Sequence, residues 1–198
     1  MIKEYNNFKL TYQSITEMEL IVKRLEEIQE INSKFWDKRK LNKKIKITFW
    51  NDIIKYKSNY HDNWINRDKD NIDIIDYNLI TGYYEYQYLS IEQYINEIKI
   101  LVSKIWMEQS NKTISYKWIE NGIACYICKK YKINNNKIIV SIKDLLNDLV
   151  GEEDSFKLIH YILNKYDRLY LDKLIVDKEF VKQEIERIYD EVNNYERY

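Results

Sequence analysis

The chain has 198 residues, 45% hydrophobic and 15% aromatic, and its 32 basic and 32 acidic side chains give a formal charge of zero. Three glycines, two histidines, two cysteines and no proline are too few to build locally a glycine-rich phosphate cradle or the clustered histidines of a metalloprotease or binuclear metal site. A balanced charge also removes any whole-molecule field toward DNA or an anionic membrane, so a nucleic-acid role requires a local patch.

A chain of this length can bury about two-thirds of its unfolded surface as one domain. The 19 tyrosines, with abundant Ile, Asn and Lys, carry the imprint of an AT-rich genome. Met1-Ile-Lys-Glu-Tyr5 leads into polar residues, and no later stretch approaches the roughly 18 apolar residues of a spanning helix. A soluble, cytoplasmic protein is expected, and two cysteines are too few for a disulfide scaffold, which suits a reducing compartment.

In chain order, Phe8, Leu10 and Tyr12 alternate with polar residues as a short half-buried strand. Ser14 and Glu17 match a capping box for an amphipathic helix over about 15 to 33, with Met18, Ile21, Val22, Leu25 and Ile28 on one stripe. Ile45, Ile47 and Phe49 mark a second strand. Residues 51 to 78 read as a short helix and a long irregular connection. A strand over 79 to 89 would align Tyr84, Tyr86 and Tyr88. Ser90 and Gln93 then cap a core helix over 91 to 109.

Asn121-Gly122 lies between two β-rich runs and favours the positive φ angles of a type I′ turn. A three-stranded meander over about 113 to 142 follows, with Asn134-Asn135-Asn136 as its second reversal. Ser141 and Asp144 form a capping box for a short helix that Gly151 ends in a left-handed conformation. A further helix carries Phe156, Ile159, Leu163, Tyr166 and Tyr170. The last helix places Val181, Ile185, Ile188, Val192 and Tyr195 on a narrow apolar stripe edged by Glu184, Glu186, Asp190, Glu191 and Glu196.

The expected fold is α+β: a small mixed or antiparallel sheet of about six strands, packed by the helices at 15 to 33 and 91 to 109, with a helical C-terminal third. It forms one domain, in which a basic lobe over 1 to 78 can be set apart from 79 to 198.

The strongest local charge asymmetry is Lys34 to Trp50, where Lys34, Lys38, Arg39, Lys40, Lys43, Lys44 and Lys46 face a single acid, Asp37. Cations neutralise phosphates, and Phe35, Trp36 and Trp50 offer rings that stack on unpaired bases. Tyr84, Tyr86 and Tyr88 extend this surface if their strand neighbours residues 44 to 50. Cys125 and Cys128, read inside a strand, point to opposite faces and cannot share a metal. His61 stands near Asp62, Asp68 and Asp70 in a polar connection, a general-base or cation-binding combination, and His160 flanks a helical stripe.

These observations favour a non-enzymatic cytoplasmic protein, without cofactor, that inhibits or occludes a protein or ribonucleoprotein partner. Toxin-immunity proteins and mobile-element anti-defence inhibitors, including those of the anti-CRISPR type, share that character of a small, motif-poor chain. The alternatives are RNA or single-stranded DNA binding through residues 34 to 50, and an enzyme or metal protein using His61 or Cys125 and Cys128.

Overall fold

A computed structural model describes residues 1–13, 17–38, 40–60, 63–110, 113–132 and 137–194, with every side chain among them except that of Tyr84. These residues hold nine α-helices and one mixed sheet of five strands, against about six expected. They form two compact units, Met1–Gln109 and Ser110–Tyr198. No helix among them is long and apolar enough to cross a membrane.

The first unit runs β1 (Ile2–Glu4), β2 (Phe8–Thr11), α1 (Met18–Phe35), β3 (Ile45–Trp50), α2 (Ile53–Tyr60), β4 (Ile65–Asp68), β5 (Asn71–Ile75), α3 (Tyr77–Ile80), a 3-10 turn at Tyr84–Tyr86, and α4 (Ile91–Ser110). The sheet order is β1-β2-β3-β5-β4. The β2–β3 and β3–β5 pairs are parallel, and both edge strands are antiparallel to their neighbours.

Alternation gives this sheet one apolar face: Phe8, Leu10, Ile45, Ile47, Phe49, Ile72 and Ile74 are all buried. Arg67 shares that face by its register with Ile72, and its ion pair with Glu108 puts α4 on the same side. The expected stripes of α1 (Met18, Ile21, Leu25, Ile28) and α4 (Ile95, Ile98, Val102, Ile105) are buried. Between the two helices, the buried Asn32 amide donates to Ser103 Oγ at 3.0 Å.

Helix α4 begins as expected, with reciprocal Ser90 and Gln93 bonds of 2.8 and 3.2 Å. Helix α1 starts at Met18; Ser14 of its expected capping box lies outside the described residues.

Two expectations fail in this unit. The stretch read as irregular contains the β4–β5 hairpin, which turns at Lys69 in a left-handed conformation (φ 51°) without the glycine that would have announced it. The Asp/Asn-rich segment therefore folds into the sheet, and the division of the chain falls after Gln109. The tyrosine run after residue 79 is no strand. Asp76 caps α3 through the Asn78 N–H at 3.0 Å, and the chain then coils locally, with Tyr77 Oη donating to the Leu89 carbonyl at 3.0 Å.

The second unit is helical: α5 (Lys117–Cys128), α6 (Ile142–Leu146), α7 (Glu152–Lys165), α8 (Arg168–Val176) and α9 (Lys178–Asn193). The meander expected over 113 to 142 is absent. Helix α5 occupies both arms of the supposed hairpin, residues 137–141 form no strand, and residues 133–136 lie outside the described residues.

Asn121-Gly122 sits inside α5, where the glycine serves close packing instead of a turn. A Cβ at residue 122 would lie 2.3 Å from the Ser155 carbonyl oxygen and 2.5 Å from Ile159 Cγ1 of α7. Around that crossing α5 buries Trp118, Ile119, Ile123, Ala124, Cys125, Ile127 and Cys128, and a helix apolar nearly all round is an interior helix.

The Ser141–Asp144 capping box forms as expected. Asp148, not Gly151, takes the left-handed conformation after α6 (φ 57°), and Gly151 begins α7 at φ −69°. The helix read through Tyr170 breaks after Lys165, where Asp167 caps α8 by accepting from the Tyr170 N–H at 2.8 Å. In α9 the expected Val181, Ile185, Ile188 and Val192 are buried, and Tyr195 lies outside the described residues.

The Gly122→Ala substitution will destabilise the chain by about 1–3 kcal/mol in denaturant unfolding, as overpacking exceeds the helix-propensity gain of about 1 kcal/mol. Gly151→Ala, where an added Cβ meets nothing within 4 Å, will change stability by less than about 0.5 kcal/mol.

Candidate functional site

The polar face of the sheet carries the site. Paired residues share a face, so the strand registers set Glu4, Lys9, Lys46, Asn71 and Asp68 in one row across it. The next row is Ile2, Thr11, Thr48, Asp73 and Asn66. Lys9 and Lys46 thus stand side by side on strands about 4.8 Å apart, an arrangement that like charges disfavour.

Glu4 is the carboxylate that pairs with lysines at this corner, and Asp70 stands beside Lys43, where Gln109 Nε2 donates to its Oδ1 at 2.8 Å and to the Lys43 carbonyl at 3.0 Å. Glu4 pairs with Lys44 at 2.9 Å and with Lys9 at 3.4 Å. The Lys44 hydrogen bond, followed by that of Lys9, holds the Glu4 carboxyl below its ordinary range. Glu4, Tyr5, Asn6, Lys40 and Lys44 line an open recess of about 560 Å³. Lys40, Lys43 and Lys46 are exposed, and none of them forms an ion pair among the described residues.

The remaining residues of the basic segment are engaged by the fold. Lys34 pairs with Glu30 at 2.6 Å. Lys38 Nζ donates to the Gln109 carbonyl at 2.5 Å, a cation set on the C-terminal carbonyls of α4. Gln109 also fixes the Lys43 backbone, accepting from its N–H and donating to its carbonyl, each at 3.0 Å. Arg39 lies outside the described residues.

The aromatic half of the expected surface does not assemble. Trp36 is half-buried edge-on to Phe35 at 4.9 Å. Trp50 is half-buried against Tyr56 and Tyr60, at 6.0 and 6.3 Å, and its indole N–H donates to Asp73 at 2.8 Å. Tyr86 packs near Trp64 at 6.3 Å, and the Trp64 carbonyl accepts from the N–H of Ile75 at the end of β5. Tyr86 therefore sits at the opposite end of the strands from Lys44, roughly 17 Å away along β3. Tyr88 is 88% exposed in the same coil, while nothing is described for the Tyr84 side chain.

Cys125 and Cys128 are three apart on a helix and so lie on neighbouring positions of one face, not on opposite faces of a strand. Both are buried and neither forms a disulfide. His160 lies 6.0 Å from the Tyr126 ring and 5.9 Å from that of Phe156, with Asn164 Nδ2 3.0 Å from its Nδ1. Among the described residues no three His, Cys, Asp or Glu side chains gather where an ion would bind. His61 and Asp62 lie outside the described residues.

Glu184 and Glu191 of the acidic edge of α9 are used within its own unit, and Glu196 lies outside the described residues. Glu191 accepts from Tyr166 Oη at 2.5 Å and pairs with Lys165 at 2.8 Å, and Glu184 accepts from Tyr170 Oη at 2.8 Å. Salt-bridging and phenolic partners, acting against burial, hold both carboxyls below their ordinary range.

Lys9, Glu4, Tyr5 and Asn6 are the site residues that sequence reasoning missed. The Phe8/Leu10 alternation does place Lys9 on a polar face, but only the strand register sets it beside Lys46. No protein-family description, curated protein or solved structure matches the chain.

Burial, and then Asp73, pushes the phenols of Tyr56 and Tyr60 up to about 12. A folded value above the unfolded value of about 10 means that the unfolded chain loses these protons first. Their contribution is complete below pH 10 and is lost as pH rises from 10 to 12. The melting temperature will fall across that interval, and the fall will be shallower for Tyr56→Phe.

Proposed function

We propose that this chain is a non-enzymatic cytoplasmic binding protein that occludes a negatively charged surface of a macromolecular partner. The manner of action is that of mobile-element anti-defence inhibitors and toxin-immunity proteins. The observation that carries the reading is the gathering of Lys9, Lys40, Lys44 and Lys46 from β2, the loop before β3 and β3 itself around the carboxylate of Glu4, at a recess beside the polar sheet face. Long-range attraction from such a patch accelerates encounter and orients docking, and because the whole chain is neutral the remainder is net negative and leaves the recess end as the preferred approach.

Affinity capture with the tagged full chain at low salt tests this reading. The chain is expected to retain a stoichiometric partner that Lys40→Glu/Lys43→Glu/Lys46→Glu loses without a change in melting temperature. A partner held equally by both proteins, or turnover of a small molecule by the purified chain, would overturn it.

A further inference from the structure

Resting on the occlusion reading above, we infer that the element recognised is the phosphodiester backbone of a nucleic acid, gripped for its charge and not for its bases. The recess joins two surfaces that meet at Glu4: the loop bearing Lys40 and Lys44, and the polar sheet face bearing Lys9 and Lys46. Beyond those lysines the face continues as the hydroxyls of Thr11 and Thr48, half-buried and side by side in register. Lysine ammonium and threonine hydroxyl groups are phosphate-contacting chemistry that carries no base information.

Charge complementarity selects this occupant over an acidic polypeptide. An extended polypeptide carries at most one carboxylate per about 3.3 Å of its length, about half the charge density of a duplex, and the corner sets Lys9, Lys40, Lys44 and Lys46 around Glu4. A nucleic acid presents continuous negative charge, about one per 1.7 Å along a duplex, and releases condensed counterions when lysines replace them.

Single-strand readers add several rings on which bases stack; here Tyr5 lines the recess, and Trp36, Trp50 and Tyr86 are turned away from it. Trp50 turns its indole N–H to Asp73, Trp36 lies against Phe35, and Tyr86 belongs to the far end of the strands. One half-buried tyrosine gives no run of stacked bases, so the grip is on the phosphates and differs little between duplex and single strand.

The test is fluorescence anisotropy of the full chain with a 20-mer duplex, dT20, dA20 and poly-glutamate between 50 and 300 mM NaCl. The three oligonucleotides are expected to bind within about threefold of one another. For the duplex, the slope of log affinity against log salt should lie between about −3 and −4, as for four neutralised phosphates. Lys40→Glu/Lys43→Glu/Lys46→Glu should lose at least tenfold in affinity. The control Lys117→Glu/Lys132→Glu/Lys143→Glu, with the same change in net charge at exposed sites of the other unit, should lose less than twofold.

Equal losses in the two triple variants, a slope shallower than −1, a tenfold preference for dT20 over duplex, or equal binding of poly-glutamate would overturn the inference. If reversal unfolds the chain, the Lys→Gln triple makes the same comparison. Absence of oligonucleotide binding beside a captured protein partner that still depends on these lysines would end this inference and leave the occlusion reading standing.

Discussion

A sheet with only one apolar face is the constraint on which the first unit depends. In β3 the buried Ile45, Ile47 and Phe49 alternate with exposed Lys46 and half-buried Thr48 and Trp50, and the registers of β2 and β5 repeat that division. The hydrophobic effect needs one layer of helices to cover such a sheet, and α1 and α4 supply it from the same side. The opposite face stays polar at the Lys9–Lys46 end, while at the other end Tyr56 and Tyr60 of α2 pack against Trp50. Lys9 and Lys46 are outward because their neighbours must be inward, so slipping β2 or β3 by one residue would bury an ammonium group and expose Phe8 and Leu10 or Ile45 and Ile47.

The second unit answers a different demand. Its central helix has too much apolar surface for one flank and packs chiefly against α7, with α8 also in contact, which requires the helix axes to come close. Gly122 permits this on α5, and Ala124 nearby is fully buried. A side chain at the crossing would force apart two backbones that otherwise pack at close range. The glycine thus does for the helical unit what alternation does for the sheet: it decides which surfaces can meet.

Much of the fold was legible wherever a periodic signal ran for three or more turns or strands. The stripes of α1, α4 and α9 and the alternation of β2 and β3 lie where the sequence placed them. The failures came from short-range signals with two physical meanings. Asn-Gly is a hairpin turn when its neighbours pair across strands, but Gly122 is also the smallest residue available to a helix crossing, and only the tertiary partner Ser155 tells them apart. The β4–β5 turn was invisible because Lys69 adopts the left-handed conformation that usually announces itself by glycine. For the candidate site, the lysines of the 34–46 segment were legible as charge. Their division into engaged (Lys34, Lys38) and outward-facing (Lys40, Lys43, Lys46) was not, since Glu30 is one turn away but Gln109 is reached only through the fold. The tyrosines misled because alternate spacing suits a strand, while the Asp76 cap and the packing of Tyr77 and Tyr86 draw the chain into coil.

The buried amide of Asn32 has a bearing on uniqueness. Stripes built of isoleucine are nearly interchangeable from one turn to the next, so α1 sliding along α4 by about 5.4 Å would still bring hydrocarbon against hydrocarbon. Such a shift would cost the Asn32 amide its bond to Ser103 Oγ. Asn32 Nδ2 keeps its bond to the Ile28 carbonyl at 2.9 Å in any setting, but only the observed one adds Ser103 Oγ, so this polar bond favours one register of the layer. Because Gln109 at the end of α4 holds the Lys43 backbone, the position of the lysine loop is inherited from that register.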